Sequence, residues 1–259
     1  MPEILEIELY RRSAQPAIGR PVTAVLAPDD WYLKRTNAVS VAAVCVGHEI
    51  ADVRRHGKLL LADLSSGPTL GLRFGMTGRL LVDGGAIIEQ LEYSSGRNDP
   101  AWDRFGLDFA DGGELRMRDP RRLGGVEIDP DITKLGPDAW LVTSTGLGEV
   151  LGRSRSALKA RLLDQSALAG LGNLLTDEIL WRSGFAPGRA SNDLTADDVA
   201  ALWSTMRSTL DELDARGGSH TGDLQEERSA SGRCPSDGGE LRRERIGGRT
   251  TIWCPDHQH

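Results

Sequence analysis

The spacing of apolar positions changes along this chain. Residues 2–14, PEILEIELYRRSA, read as a short helix: Pro2 suits a first helical position, and Ile4, Leu5 and Leu9 can share a face. From 20 to 128 the apolar residues gather into short runs of strand length. PVTAVLA, VAAVCVGHEI, KLLLADL, TLGLRF, RLLVD, FGLDFA, ELRMRD and GGVEID are separated by Gly, Asp, Ser and Pro. Short runs so closely punctuated predict a β-sandwich or barrel. Residues 129–150, with Pro130, Gly136, Pro137, Gly146 and Gly148, read as a linker.

Beyond about 153 the period turns helical. SRSALKARLLDQ predicts one helix and LGNLLTDEILWRSG another. A third runs from about 195 to 216: Thr195 with Asp198 forms a capping-box pattern, Val199, Leu202, Met206, Leu210 and Leu213 make the apolar stripe, and Gly217-Gly218 stops it. Residues 219–233 are polar and predict a loop. RRERIGGRTTIW predicts a β-hairpin, flanked by Cys234 and Cys254. No internal repeat is present.

Composition narrows the class. A chain of 259 residues, 39% hydrophobic, can bury a core in one or two domains. Cys45, Cys234 and Cys254 are too few for a disulfide framework. The acidic MPEILEIELYRR is unlike a signal peptide, and no run approaches the roughly 20 apolar residues of a membrane span. A soluble, cytoplasmic protein with no membrane partner is expected. The net charge of −7 speaks against a nucleic-acid partner, but its distribution does not. Arg153, Arg155, Lys159 and Arg161 form one basic stretch, and Arg242, Arg243, Arg245 and Arg249 another.

Separated motifs occur in a telling order: MPEILEIELYRR at the start, RRHGKLLL at 54–61, DPRRLG at 119–124, LLDQSALAGLGNLLTDEILWRSGFAP at 162–187, and CPSDGGELRRERIGGRTTIWCPDHQ at 234–258. Together they resemble the formamidopyrimidine-DNA glycosylase and endonuclease VIII family. The resemblance implies an α+β multidomain fold: residues 1–131 a catalytic N-terminal helix plus two-layer β-sandwich, 132–232 a helix-two-turn-helix DNA-binding domain, and 233–259 a zinc-finger-like β-hairpin. It also implies a monomer acting on damaged double-stranded DNA in the nucleoid, as a base-excision glycosylase with strand-cleaving lyase activity.

The residues make chemical sense in those roles. Removal of Met1 would expose the secondary amine of Pro2, which can attack the deoxyribose C1′, displace the base and form an iminium ion that acidifies the C2′ proton. An α-amino group titrates near 8 in peptides, and a helix N-terminus disfavours its charged form. By resemblance, Glu3 is the general acid/base that protonates the sugar ring oxygen or shuttles protons, Glu6 is a second family carboxylate, and Lys58 contacts a phosphate or the lesion. Glu8 is expected to face solvent. Flipping a base out of the duplex leaves a gap to fill. Met76, Arg121 and Leu123 match the filling residues, Arg121 reading the orphaned base. Leu5 and Leu123 depart from the family's usual proline and phenylalanine. In the glycine-rich turn, the helix N-terminus at Asn173 suits a phosphate, and Lys159 reaches the backbone or lesion pocket. Arg249 at the hairpin tip positions a phosphate.

The family's four zinc thiolates fall here on Cys234, Asp237, Cys254 and His257, with sixteen residues between the pairs. Cys, Asp and His all bind zinc, so one structural ion is expected on a mixed set. The 219–233 segment is shorter than the lesion-covering loop of formamidopyrimidine glycosylases. Two other classes compete: a catalytically silent DNA-damage-binding protein of the same fold, and a zinc-ribbon adaptor in which the hairpin alone binds.

Overall fold

The structure, a computed structural model, describes residues 2–88, 91, 97–229 and 231–259. The chain divides into two compact units, Met1–Ile132 and Thr133–His259.

The first unit opens with α1 (Ile4–Ser13). Its N-cap is Glu3, on extended backbone, so Pro2 stands ahead of the helix and not in its first turn as predicted. The strands are β1 (Val22–Leu26), β2 (Ile50–His56), β3 (Leu59–Leu64), β4 (Thr69–Arg73), β5 (Arg79–Val82), β6 (Gly85–Ala86), β7 (Asp103–Phe109), β8 (Glu114–Arg118) and β9 (Gly125–Ile128). They form two antiparallel sheets, ordered β1-β7-β8-β5-β6 and β2-β3-β4-β9. Alternating residues from both inner faces make one core. Phe105, Leu107, Leu115 and Met117 come from one sheet, and Val53, Leu60, Leu70, Leu72 and Val126 from the other. Ile7 and Tyr10 bring α1 into the same core. The helix touches β2 and β3 of one sheet and β5 of the other, so both layers hold it.

The run VAAVCV, predicted as a strand, is the body of α2 (Ala38–Cys45). Its β-branched residues favour a strand, but two signals outweigh them. Asn37 Oδ1 accepts the Ser40 N–H at 2.9 Å as N-cap, and the buried residues Val41 and Cys45 lie four apart.

In the second unit the predicted linker contains α3 (Ser144–Gly152). Thr143 caps it by accepting the Gly146 N–H at 3.0 Å, and Leu147, Val150 and Leu151 turn inward. The predicted SRSALKARLLDQ helix contracts to α4 (Leu158–Leu163), because a β-bridge between Ala157 and Ala190 holds the preceding residue extended. Next come α5 (Asn173–Ser183), ended by left-handed Gly184, and α6 (Ala196–Arg216), with the predicted capping box and Gly217 stop. Helix α6 packs on α3 and α5. The hairpin β10 (Arg242–Ile246) and β11 (Arg249–Trp253) shares a small core with α5 and the 224 region: Trp181, Leu224, Cys234 and Cys254. No helix among the described residues is long and apolar enough to cross a membrane.

Replacing Asn37 with Ala removes the α2 cap. The expected loss is about 1 kcal/mol of stability, read as a lower urea midpoint with an unchanged slope.

Candidate active site and nucleic-acid-binding elements

The N-terminal end of α1 gathers the proposed reacting groups. Pro2 is buried, Glu3 is 0% exposed and Glu6 4%. Glu6 Oε2 accepts the Glu3 backbone N–H at 2.7 Å, which pins that carboxylate to the helix start. Two buried carboxylates thus lie within the first turn after Pro2. The removal of Met1 lies outside the described residues. Tyr10 sets the helix in place: its hydroxyl donates to Gly78 O at 3.1 Å, and its ring meets Phe74 at 4.5 Å. Burial pushes the Tyr10 phenol far up, so it stays a neutral donor.

Glu8 does not face solvent as expected. Its side chain, largely buried, accepts from Arg11 at 2.8 Å and from Arg55 at 3.3 Å, and Arg11 helps hold it below the usual carboxylate range against the opposing effect of burial. The Arg55 contact ties β2 to α1. The turn joining β2 to β3 is Gly57-Lys58. Gly57, at φ +55°, takes the left-handed first position of a tight hairpin, which leaves half-buried Lys58 at its tip.

Two further loops meet through one carboxylate. Asp119, fully buried, accepts from the Thr77 hydroxyl at 2.6 Å, the Arg121 N–H at 3.2 Å and the Gly124 N–H at 2.8 Å. Thr77 belongs to the β4–β5 loop with Met76; Arg121 and Gly124 belong to the β8–β9 loop. The loops also touch directly. A Cβ on Gly75, whose φ is +57°, would lie 2.5 Å from the Leu123 carbonyl carbon. The result presents Met76, half-exposed, together with Arg121 and Leu123, the latter 49% exposed. Met76 is therefore not simply core, and the exposed leucine is free to enter a gap.

In the second unit the turn from α4 to α5 is held by Gln165. Its Nε2 donates to Leu163 O and Leu171 O, both at 2.9 Å, and its Oε1 accepts the Gly170 N–H at 3.0 Å. Gly170 sits at φ +124°, a conformation other residues rarely adopt. Gly172 then caps α5, so the positive end of its dipole and Asn173 share one place. Asn173 Oδ1 is buried with no hydrogen-bond partner among the described residues. At the hairpin tip Gly247 and Gly248, both left-handed, make the primed turn that leaves Arg249 exposed, and Gly247 packs against Ala160 of α4.

Lys159 departs from expectation. It is 0% exposed, and its ammonium donates to Asp177 Oδ1 at 2.6 Å and to Thr250 O at 3.0 Å. Asp177 also accepts from Arg228 at 2.9 Å. This lysine is spent inside the protein and joins α4, α5 and β11; it does not reach out for a phosphate. The basic stretch around it splits accordingly. Arg161 turns to Val150 O and Asp164, and Arg153 pairs with Glu149.

The predicted metal ligands come together in part. The donor atoms of Cys234, Asp237 and Cys254 lie within 4.8 Å of one another. His257 stands apart: its Nε2 lies 2.9 Å from Trp181 O. Trp181 Nε1–H donates to Cys234 Sγ at 3.4 Å, and Asp237 Oδ1 accepts the Gly239 N–H at 2.8 Å, so two of the three donors are oriented from behind. Two sulfurs and a carboxylate at this spacing suit a tetrahedral divalent ion with one corner left to fill.

Sequence reasoning missed Asp119, Gln165, Asp177 and Arg228. Asp119 stands in the DPRRLG motif itself, but its partner Thr77 is 42 positions away. Replacing Asp119 with Ala strands a buried hydroxyl and two backbone N–H groups. The expected cost is about 3 kcal/mol in denaturant unfolding. Asp177→Leu leaves the Lys159 ammonium buried without its carboxylate, and about 3–5 kcal/mol should be lost.

Comparison with known proteins identifies the family. The profile of the formamidopyrimidine-DNA glycosylase N-terminal domain matches residues 1–126, and that of the formamidopyrimidine-DNA glycosylase H2TH domain matches 135–223. The formamidopyrimidine-DNA glycosylase of Rhodopseudomonas palustris (strain TIE-1) is 31% identical over 295 positions, covering 100% of both chains. That of Paracoccus denitrificans is 32% identical and covers 98% of this chain and 99% of its own. A crystal structure of wild-type Lactococcus lactis Fpg (MutM) with DNA containing N7-benzyl-Fapy-dG aligns with a TM-score of 0.83 at 25% identity over 100% of both chains. The Lactococcus lactis Fpg with abasic-site DNA gives 0.84 at 24% identity, again over 100% of both. The chain belongs to the formamidopyrimidine-DNA glycosylase family.

Proposed function

We propose that this protein is a bifunctional base-excision glycosylase and abasic-site lyase that acts on damaged double-stranded DNA through the amine of Pro2. The observation that carries the reading is Pro2 at the start of α1 with Glu3 and Glu6 both buried behind it. Once Met1 is gone, the uncharged proline nitrogen attacks C1′, the base leaves with the glycosidic electron pair, and the proton lost from the nitrogen passes to the departing base. A carboxyl group of Glu3 protonates the sugar ring oxygen, so the ring opens and the nitrogen becomes an iminium. Loss of the C2′ proton then expels the 3′ phosphate, and a second elimination expels the 5′ phosphate. Glu6, fixed at the helix start, turns its carboxyl group to the developing iminium. Lys58 neutralises a backbone phosphate next to the sugar. Met76 and Leu123 fill the gap, and Arg121 faces the orphaned base. Asn173 and Arg249 hold phosphates without reading sequence.

Zinc fits the C-terminal cluster. Cys234, Asp237 and Cys254 would hold it, with the fourth corner taken by His257 through Nδ1, the ring nitrogen that the Trp181 carbonyl leaves open, or by water. Its role there is structural, fixing the ends of the hairpin.

Borohydride trapping on abasic-site duplex tests the nucleophile. Met1-free protein should give a covalent adduct, and protein with a blocked amino terminus none. Glu3→Gln should slow base release about 100-fold or more. A Met1-free protein that forms no adduct would leave the silent damage-binding reading. For the metal, the purified chain should carry one zinc by elemental analysis, chelation should lower its melting temperature, and Asp237→Cys should make the ion harder to strip.

A further inference from the structure

We infer that Trp31, with Lys34 and Arg35, is a DNA contact that rests on the undamaged strand beside the base faced by Arg121. This rests on the glycosylase reading above and extends it to a surface which that reading does not use.

Residues 29–35 form a short turn strapped to the base-reading loop. Asp29 receives a two-pronged ion pair from Arg122, at 2.5 and 2.6 Å. Lys34 N–H donates to Val126 O at 2.7 Å, and Leu33 bridges to Val126 as well. Gly124 lies so close to the turn that a Cβ there would meet the Tyr32 hydroxyl at 2.4 Å. Tyr32 and Leu33 point into the core, and this throws the indole of Trp31 outward, 67% exposed. A lone exposed apolar side chain is ordinary; this one is held. Asp29 Oδ1 accepts its N–H at 3.2 Å, and the Lys34 ammonium donates to its carbonyl at 2.6 Å while sitting 4.6 Å from its ring centre.

Charge favours a polyanion. Asp29 and Glu127 are each engaged by an arginine, Arg122 and Arg35. Asp30 lies on the same turn, against Lys34 and the exposed Arg121. A fixed aromatic face flanked by cations is the pattern that stacks on unpaired bases and sugars while tracking a phosphate backbone. Because Arg122 joins this turn to the loop that carries Arg121, the strand Arg121 faces is the one within reach.

The test compares wild type, Trp31→Ala, Trp31→Phe and Lys34→Ala on a duplex carrying a tetrahydrofuran abasic analogue. Its lesion-bearing single strand alone is the control. Trp31→Ala should bind the duplex about tenfold more weakly, Trp31→Phe should recover most of the loss, and wild type and both Trp31 variants should bind the single strand equally. Lys34→Ala should lower the salt slope of duplex binding by about one. Duplex binding by Trp31→Ala within twofold of wild type, or an equal loss on the single strand, overturns the inference and leaves the glycosylase reading intact. A wild-type protein that neither binds nor cleaves abasic duplex overturns both.

Discussion

The buried carboxylate of Asp119 is the constraint on which the Met76 and Arg121 loops of the first unit depend. A charge taken fully out of water must be matched by donors, and here they come from two loops far apart in the chain: the Thr77 hydroxyl from one, the Arg121 and Gly124 N–H groups from the other. Neither loop has a regular element to shape it. Satisfying one anion shapes both, and Met76, Arg121 and Leu123 emerge from the same knot. Helix α1 is set against that arrangement through Tyr10, whose hydroxyl bonds to Gly78 at the far side of the Met76 loop. The helix that begins after Pro2 and the loops that carry Met76 and Arg121 are therefore tied to one another within the first unit.

The second unit uses a parallel device. Asp177 is buried between Lys159 and Arg228, and the lysine also holds the Thr250 carbonyl. Helix α5 carries Asn173 at its start and β11 begins at Arg249. One ion cluster thus sets the spacing between two groups suited to phosphates. A cation that sequence comparison marks as a ligand contact acts here as a spacer.

Much of the fold was legible because its signals are local. Short apolar runs between Gly, Asp, Ser and Pro marked most strands, and a cap with a glycine stop marked α6 nearly residue for residue. The failures were local conflicts. VAAVCV carries a strand composition but an Asn37 cap, and the cap with i, i+4 burial prevailed. Glycine and proline around α3 concealed its Thr143 cap. Legibility at the site came from motifs and so reached only residues with a motif role. Nothing in a linear pattern says that Lys159 is buried, that Glu8 meets Arg55 or that the His257 ring turns to Trp181. Those outcomes depend on partners brought together by the tertiary structure.

The side chain at 123 stands outside the Asp119 knot, whose bonds on that loop run to the backbone of Arg121 and Gly124. Mount and tip are thereby decoupled. Natural selection can exchange leucine for a bulkier or flatter wedge there while the fold scarcely registers the change. The same freedom does not extend to Gly75, whose missing Cβ makes room for the Leu123 carbonyl. Relatives should then diverge at position 123 while leaving the glycine beneath it untouched.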